Sequence, residues 1–427
     1  MNPEPSQEER QAQQQAPQQK EPQNQRLSAD LFCQVVDNLG DIGVMWRLAK
    51  QLTTEKNWQI RLWVDQINCL AKIDPSVDPS ATIQTRQCVE IRQWLSPWQP
   101  MSQHPNSHSH PHSPPHLHTH PHPIVIAGFS CALPDAYLRE FATQTDPVLL
   151  QLEYLSAQSW VDSFHGIGSQ RSDSLKPIFY FPGFNDNTGG LLREQGLLEQ
   201  RDLWIKTNQR QAWLASLGVR VPNSNQHNQS NQSNHGNYGN PATKLVSVFT
   251  YPHAPLKLLM DQLDQTGEHF HLLLPSDPQH AQQEPVSHWH SERVTYQEID
   301  FLAQPDFDKL LWSCDLNLVR GEDSLMRAIW AAKPLLWQIY PQQDGVHHPK
   351  LDAWLEQAQP PESVARAMRD WADGELKTDI TTALTGEGWA AWQQTSTAFA
   401  LKLNQQTDLA TKLDTLVRSG SVIPDRL

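Results

Sequence analysis

Short apolar runs alternate with helix-length amphipathic segments along two stretches of the chain. The first stretch predicts strands at 31–36, 60–64, 124–127 and 148–151, and the second at 245–249, 270–274, 316–319 and 335–339. After the first run, Val44, Leu48 and Leu52 share one face of a predicted helix. Apolar strands that alternate with helices predict parallel sheets covered by helices, which is an α/β fold.

Low-complexity segments and length together suggest how the domains are divided. The low-complexity segments are a Gln-rich tail at 1–26 that we expect to be disordered, a His/Pro-rich insertion at 103–123, and a linker at 211–241 with an Asn/Gln-rich insertion. A chain of 427 residues suits two domains. We expect Rossmann-like domains at 27–210 and 242–405, facing across a cleft where the carboxyl ends of their strands bind ligands.

Charge and composition exclude several classes of protein. A formal net charge of −14 argues against a nucleic-acid-binding protein, which needs a basic surface. We find no apolar stretch long enough to span a membrane and no signal-peptide pattern at the Gln-rich start. Five scattered cysteines predict a reduced, cytoplasmic protein without disulfides. The His-rich run offers no fixed outer shell to orient metal ligands, so we expect only adventitious metal binding there.

The loop after the first predicted strand carries two carboxylates around a glycine. Asp37 and Asp41 lie at a strand's carboxyl end, where α/β enzymes keep their chemistry. The alternative interpretation is structural: Asp41 caps the following helix and Asp37 begins the turn. The loop matches neither a dinucleotide-binding fingerprint nor a P-loop.

A second strand–loop–helix junction combines a cation with acidic and hydroxyl side chains. Arg320 ends the predicted strand, and Asp323 or Ser324 is the expected N-cap of the next helix. A helix N-terminus beside an arginine attracts phosphate, and Glu322 is placed to hold a ribose hydroxyl or another polar group. The alternative is a capped helix with an Arg320–Glu322 surface pair.

Several ordered motifs resemble those of the bacterial protein-arginine rhamnosyltransferases. The resemblance runs from about residue 31 to the C-terminus, outside the low-complexity segments. The motifs are DNLGDIGV at 37–44 followed by Trp46-Arg47-Leu48, LEYLSA at 152–157 with Trp160, FPGF at 181–184, TGGLL at 188–192, RGEDS at 320–324 and IYPQ at 339–342.

The resemblance implies an activity, a fold and partners. Members of this family transfer L-rhamnose from dTDP-β-L-rhamnose to one arginine of translation elongation factor P, with inversion and without a metal ion. Their fold is the two-domain GT-B type, in which the N-terminal domain receives the acceptor and the C-terminal domain holds the donor. The resemblance also implies that the last helix, at 406–427, returns to the first domain. A GT-B enzyme with another sugar or acceptor, and a non-catalytic nucleotide-sugar-binding protein, are the alternatives.

The resemblance also assigns roles to individual residues. Asp41 matches the candidate general base and Asp37 its supporting carboxylate. Glu322 of the nucleotide-diphosphate loop is the third expected catalytic residue. The expected donor-binding residues are Phe249, Tyr251, Phe301, Gln304, Arg320, Asp323 and Ser324. Pro252-His253 after the tyrosine and Gln338 before the IYPQ motif depart from the family pattern, which leaves the finer donor contacts open.

Overall fold

A computed structural model describes residues 26–37, 39–94, 120–169, 175–207, 209–221, 243–276, 289 and 291–420. Apart from Arg26, the predicted disordered tail lies outside these residues. So does most of the two predicted insertions.

The N-terminal half is built on a seven-stranded sheet in the order β3-β4-β2-β1-β5-β6-β7. All neighbouring strands are parallel except the β3–β4 pair. The strands are β1 Ser28–Cys33, β2 Gln59–Val64, β3 Ile83–Arg86, β4 Val89–Gln93, β5 Ile124–Gly128, β6 Val148–Leu152 and β7 Ile178–Tyr180. The helices up to the second half are α1 Gly40–Glu55, α2 Ile67–Ile73, α3 Asp135–Phe141, α4 Val161–Phe164, α5 Leu197–Lys206 and α6 Gln209–Ser216.

The C-terminal half carries a five-stranded parallel sheet in the order β10-β9-β8-β11-β12. Its strands are β8 Lys244–Val248, β9 Phe270–Ser276, β10 Val294–Asp300, β11 Leu316–Arg320 and β12 Leu335–Gln338. Its helices are α7 Leu256–Gln265, α8 Gln304–Ser313, α9 Gly321–Ala331, α10 His347–Ala358, α11 Glu362–Ala372, α12 Gly386–Asn404 and α13 Leu409–Ser419, with 3₁₀ turns at Gln343–Gly345 and Thr381–Leu384. The predicted α/β architecture with two parallel sheets is confirmed.

Helix α1 lies at the centre of the molecule. It packs on β1 and β2 of its own sheet and on α9 of the other half. The predicted stripe of Val44, Leu48 and Leu52 is buried, and Trp46 and Arg47 are buried on its other sides. A helix buried on all sides within a globular protein needs partners for its polar groups. Arg47 meets this requirement through the ion-pair network described below.

Two segments link the halves physically. Helix α5, which the prediction assigned to the N-terminal domain, packs on α8 of the second half, and the indole of Trp204 donates a hydrogen bond to Ser313 Oγ (3.0 Å). Helix α13 packs on α1, and the Leu409 N–H donates to the Leu191 carbonyl at 2.9 Å. The last described helix therefore lies on the N-terminal half.

Candidate active site

A pocket lies between the halves, where the carboxyl ends of β1, β8, β9 and β11 meet. The predicted site residues that line it are Asp37, Phe249, Phe301, Gln304, Arg320, Asp323 and Ser324. Asp41, Tyr251 and Glu322 lie beside this pocket and contact its surroundings. The structure thus brings together residues separated by almost 300 positions in the sequence.

Asp37 and Asp41 form an acidic notch, and Asp37 is the carboxylate of the notch that faces the pocket. Its Oδ2 accepts a hydrogen bond from the Tyr251 hydroxyl of the other half at 2.8 Å. A Cβ atom on Gly40 would lie 2.5 Å from that oxygen, and one on Gly321 2.7 Å, so both glycines leave room for the carboxylate. Burial raises the pKa of Asp37 to about 6, although the Tyr251 hydrogen bond opposes the rise.

Asp41 lies deeper, with only 2% of its surface exposed. Its Oδ2 accepts the backbone N–H groups of Val36 and Asp37 at 2.8 and 2.9 Å. Burial raises its pKa above the usual value. The interpretation of Asp41 as a helix cap is wrong, because Leu39 is the N-cap and α1 has no side-chain cap. Asp41 instead fixes the loop that carries Asp37.

The opposite wall of the pocket is aromatic, and the Arg320 guanidinium lies against its rings. The Phe249 ring lies 5.2 Å from that of Phe307 and 6.5 Å from that of Phe301, measured between centroids. Arg320 Cζ lies 4.6 Å from the Phe249 centroid and 4.9 Å from that of Tyr251. Flat aromatic faces suit a nucleobase, and a guanidinium suits phosphate oxygens.

The start of α9 differs from the prediction. Arg320 is the N-cap, and α9 has no side-chain cap, so the expected cap at Asp323 or Ser324 is wrong. The Ser324 hydroxyl accepts the Arg320 N–H at 3.0 Å and donates to the Arg320 carbonyl. Gly321 adopts a left-handed φ of +62°, which permits the sharp turn from strand to helix.

Asp323 belongs to a buried ion network that connects the halves. Arg47 Nη1 lies 2.9 Å from Asp323 Oδ1, and the Arg47 guanidinium also grips Glu194 through both carboxylate oxygens (2.6 and 2.7 Å). Arg327 Nε completes the contact to Asp323 at 3.0 Å. Burial alone would raise the pKa of Asp323, but the two guanidinium groups lower it. An arginine within an apolar helix was the sequence signal for this network.

Gln304 and Glu322 also reach across the cleft. Gln304 Nε2 donates to the Gly43 carbonyl at 3.2 Å. Glu322 Oε2 accepts the Leu155 N–H at 2.8 Å, and its Oε1 accepts a hydrogen bond from Lys350 Nζ at 2.7 Å. The alternative of an Arg320–Glu322 surface pair is wrong, because Lys350 is the ion-pair partner. Lys350 and Tyr154 were given no role from the sequence.

The two departures from the family pattern are neighbours in space. Gln338 Oε1 accepts the Tyr251 N–H at 2.7 Å, and its Nε2 lies 3.0 Å from Nε2 of His253. The His253 ring stacks on that of Tyr251, with an interplanar angle of 5°. The pair therefore supports the tyrosine whose hydroxyl holds Asp37.

Within the described residues, one trio of side chains could hold a metal ion: His347, His348 and Asp373. His347 Nδ1 accepts the Gln342 N–H at 3.2 Å, and His348 Nε2 lies 3.1 Å from Asp373 Oδ1. The trio does not line the pocket.

Residues 29–418 match the family model described as "Elongation-Factor P (EF-P) rhamnosyltransferase EarP". The chain belongs to this family. The protein-arginine rhamnosyltransferase of Pseudomonas putida (strain KT2440) is 36% identical over 403 residues, which cover 90% of this chain and 97% of the relative. The enzyme of the same description from Pseudomonas aeruginosa (strain PAO1) is 38% identical over 343 residues, covering 77% and 81%.

A solved structure described as "Structural basis for EarP-mediated arginine glycosylation of translation elongation factor EF-P" gives a TM-score of 0.55 at 27% identity. The match covers 92% of this chain and 99% of that one. The predictions of an EarP-type protein-arginine rhamnosyltransferase and of a GT-B fold are confirmed. No helix in the described ranges combines the length and apolar character needed to cross a membrane.

Proposed function

We propose that this enzyme transfers L-rhamnose from dTDP-β-L-rhamnose onto one arginine side chain of translation elongation factor P. The observation that carries the proposal is the arrangement of the cleft. On one half, Asp37 faces an aromatic slot that carries the Arg320 guanidinium on the other half, and Asp41 lies behind Asp37. The carboxylates suit a cationic acceptor, and the slot suits a nucleoside diphosphate.

Arginine is a difficult acceptor because its guanidinium is cationic and its lone pairs are delocalised. Removing the proton in water at neutral pH would cost more than about six pKa units, roughly 8 kcal/mol. Carboxylates that grip the guanidinium instead localise its charge and take the proton as the new bond forms. An acidic notch with Asp37 and Asp41 meets this need.

The transfer balances as one displacement. An arginine nitrogen forms a bond to the anomeric carbon while the bond from that carbon to the diphosphate oxygen breaks, and the electron pair leaves with dTDP. The nitrogen's proton goes to the notch, with Asp41 as the base and Asp37 as the supporting carboxylate. Attack from the face opposite the diphosphate gives an α-linked product. The carboxylates also favour the positive charge that develops on the sugar.

The donor half stabilises the leaving group. Arg320 lies beside the aromatic slot and can contact the diphosphate, and the start of α9 directs its helix dipole toward the same region. Phe249, Phe301 and Gln304 are proposed to hold the thymine, with Tyr251, Asp323 and Ser324 on the remainder of the donor. We propose that no metal takes part, so EDTA should leave turnover unchanged. A cytoplasmic location stays a prediction from the sequence.

The decisive experiment incubates the purified full chain with dTDP-β-L-rhamnose and elongation factor P. Intact-mass and fragment mass spectrometry should find one deoxyhexose on one arginine. UDP-glucose in place of the donor is the control for a different sugar specificity. Transfer from the UDP-sugar alone, or modification of another residue type, would refute the proposal.

A further inference from the structure

Lys350 lies on α10 of the C-terminal half, outside every motif used above. Its ammonium lies 2.7 Å from Glu322 Oε1. The side chains are 19% and 14% exposed, so this ion pair is largely removed from water. The other oxygen of Glu322 accepts the Leu155 N–H of the N-terminal half. Lys350 therefore binds one oxygen of a carboxylate whose other oxygen accepts a hydrogen bond from the other half, across the cleft.

The same ammonium also reaches the acceptor notch. Lys350 Nζ lies 5.4 Å from the ring centroid of Tyr154, on the N-terminal half, which is within the range of a cation–π contact. Tyr154 stacks on Phe129, and its side chain lowers the pKa of Asp41 against the effect of burial. One cation thus contacts both Glu322 of the donor loop and Tyr154, which favours the ionised form of the proposed base.

The surroundings of Glu322 make this cation important. Asp41 and Asp37 are close enough to repel its charge, and the Tyr154 hydroxyl feels that charge as well. Burial raises the pKa of Glu322 above the usual value, while attraction to Lys350 opposes the rise. Without Lys350, Glu322 loses its ion pair and the hydrogen bond that comes with it. The repulsion from Asp41 on α1 and from Asp37 in the preceding loop remains.

We propose that Lys350 is a positioning residue for sugar transfer. It keeps Glu322 ionised and aligned at the start of α9, and it fixes the donor loop against Tyr154 and the acceptor carboxylates. The inference rests on the proposed function, because it assigns Lys350 to that same reaction. Lys350 itself is not proposed to touch the reacting atoms.

The test compares Lys350→Met with Lys350→Arg in the full chain. Lys402→Met is the matched control, since Lys402 is an exposed helical lysine that bonds only weakly, to Gln357 at 3.4 Å. An opposite charge close by lowers a carboxyl pKa by roughly 1–3 units. Lys350→Met should therefore raise the pKa of Glu322 by about one unit or more, whereas the arginine variant should restore most of the difference.

Infrared titration measures this directly and needs no turnover. The difference between wild type and Glu322→Gln gives the Glu322 carboxylate band, and the same subtraction is made in the Lys350→Met background. Kinetics with elongation factor P and dTDP-β-L-rhamnose give the second readout. If ionised Glu322 is required, a rise of about one in the pKa of Glu322 should lower kcat about tenfold on the acid side of the profile. Circular dichroism checks that each variant is folded.

The outcomes are separable. An unshifted Glu322 band in Lys350→Met overturns the inference, whether or not the enzyme transfers rhamnose. A shifted band with unchanged kcat in an active enzyme also overturns it, because Glu322 would then have no positioning role. Failure of wild type to modify elongation factor P counts against the proposed function instead, and the infrared result still decides the ion pair's effect. A shifted band with loss of kcat and rescue by arginine supports the inference.

Discussion

Replacing Tyr251 with phenylalanine should move the acid limb of the reaction, because this hydroxyl binds Asp37 across the cleft. The hydroxyl lies 2.8 Å from Asp37 Oδ2, and Tyr251 is buried whereas Asp37 is half-buried at the pocket. Burial raises the pKa of Asp37 to about 6, and the Tyr251 hydrogen bond lowers it from a still higher value. Removing a hydrogen bond that favours the ionised form must raise the pKa further.

The size of the change in pKa follows from the strength of such bonds. A hydrogen bond to a charged group contributes about 1.5–3 kcal/mol, and one pKa unit corresponds to about 1.4 kcal/mol. The variant's pKa should therefore rise by roughly one to two units. At pH 6 about half of the wild-type carboxyl groups are ionised but only about a tenth or fewer of the variant's, so kcat/KM at this pH should fall roughly fivefold or more relative to its plateau at high pH.

The assay measures kcat/KM for the donor across pH 5–9, because this parameter reports the free enzyme, in which the Tyr251 hydroxyl holds Asp37. The position of the acid limb is compared rather than its height, since Tyr251 is also a proposed donor contact. Tyr340→Phe is the control: its ring packs edge-on against Tyr251 at 5.7 Å. In the control, the acid limb should lie at the same pH as in the wild type. If Tyr251→Phe loses activity equally at every pH, Asp37 is not the group that titrates, and the argument from burial is refuted.

The remaining predictions concern the base, the ion network and the slot. Asp41→Asn should lower kcat by about 10²–10⁴, the usual contribution of a general base, while calorimetry finds dTDP binding nearly unchanged; a variant that still transfers at the wild-type rate would exclude Asp41. Arg47→Met should lower the free energy of unfolding by ~3–5 kcal/mol because buried carboxylates lose their partner. The exposed-pair control Arg369→Met should lower it by about 0–1 kcal/mol, and equal denaturation midpoints would contradict this contrast. Phe301→Ala should weaken dTDP binding by roughly 1–3 kcal/mol if the base stacks there, and unchanged affinity would place the base elsewhere.

The strands that could be predicted from sequence are those buried on both faces. The runs around β1, β5 and β8 are continuously apolar because helices cover both sides of a parallel sheet. β3, β4, β7 and β10 were not predicted, and β7 is only three residues long. β3 and β10 end their sheets and alternate with polar or exposed residues, and β4, VEIRQ, mixes charges into its run. The hydrophobic pattern therefore located most central strands and missed the edge strands β3, β7 and β10, whereas the edge strand β12 was predicted because its run is apolar.

The site divides in a similar way between local and distant information. Asp37 and Asp41 could be singled out because a loop after a strand is a local pattern. The partners of Arg47 could not, since Glu194 and Asp323 lie 147 and 276 positions away. Lys350 gave no signal either, because its role depends on how α10 is placed against the other half. Long-range electrostatic pairs depend on the folded arrangement and leave no periodic trace.

The proposed donor and acceptor sites in this cleft share side chains. Binding of the donor can therefore change the proton affinity of the acceptor site. The Tyr251 hydroxyl donates a hydrogen bond to Asp37, and the Gln304 amide donates one to the Gly43 carbonyl. A donor that takes the Tyr251 hydroxyl removes the bond that favours ionised Asp37, so Asp37 becomes more basic once the sugar is bound. The acid limb of kcat at saturating donor should then lie at a higher pH than the acid limb of kcat/KM, because kcat/KM reports the free enzyme. Coincident limbs would mean that the donor leaves the Tyr251–Asp37 contact intact. The notch would thus gain proton affinity only when a sugar is present to receive the arginine nitrogen.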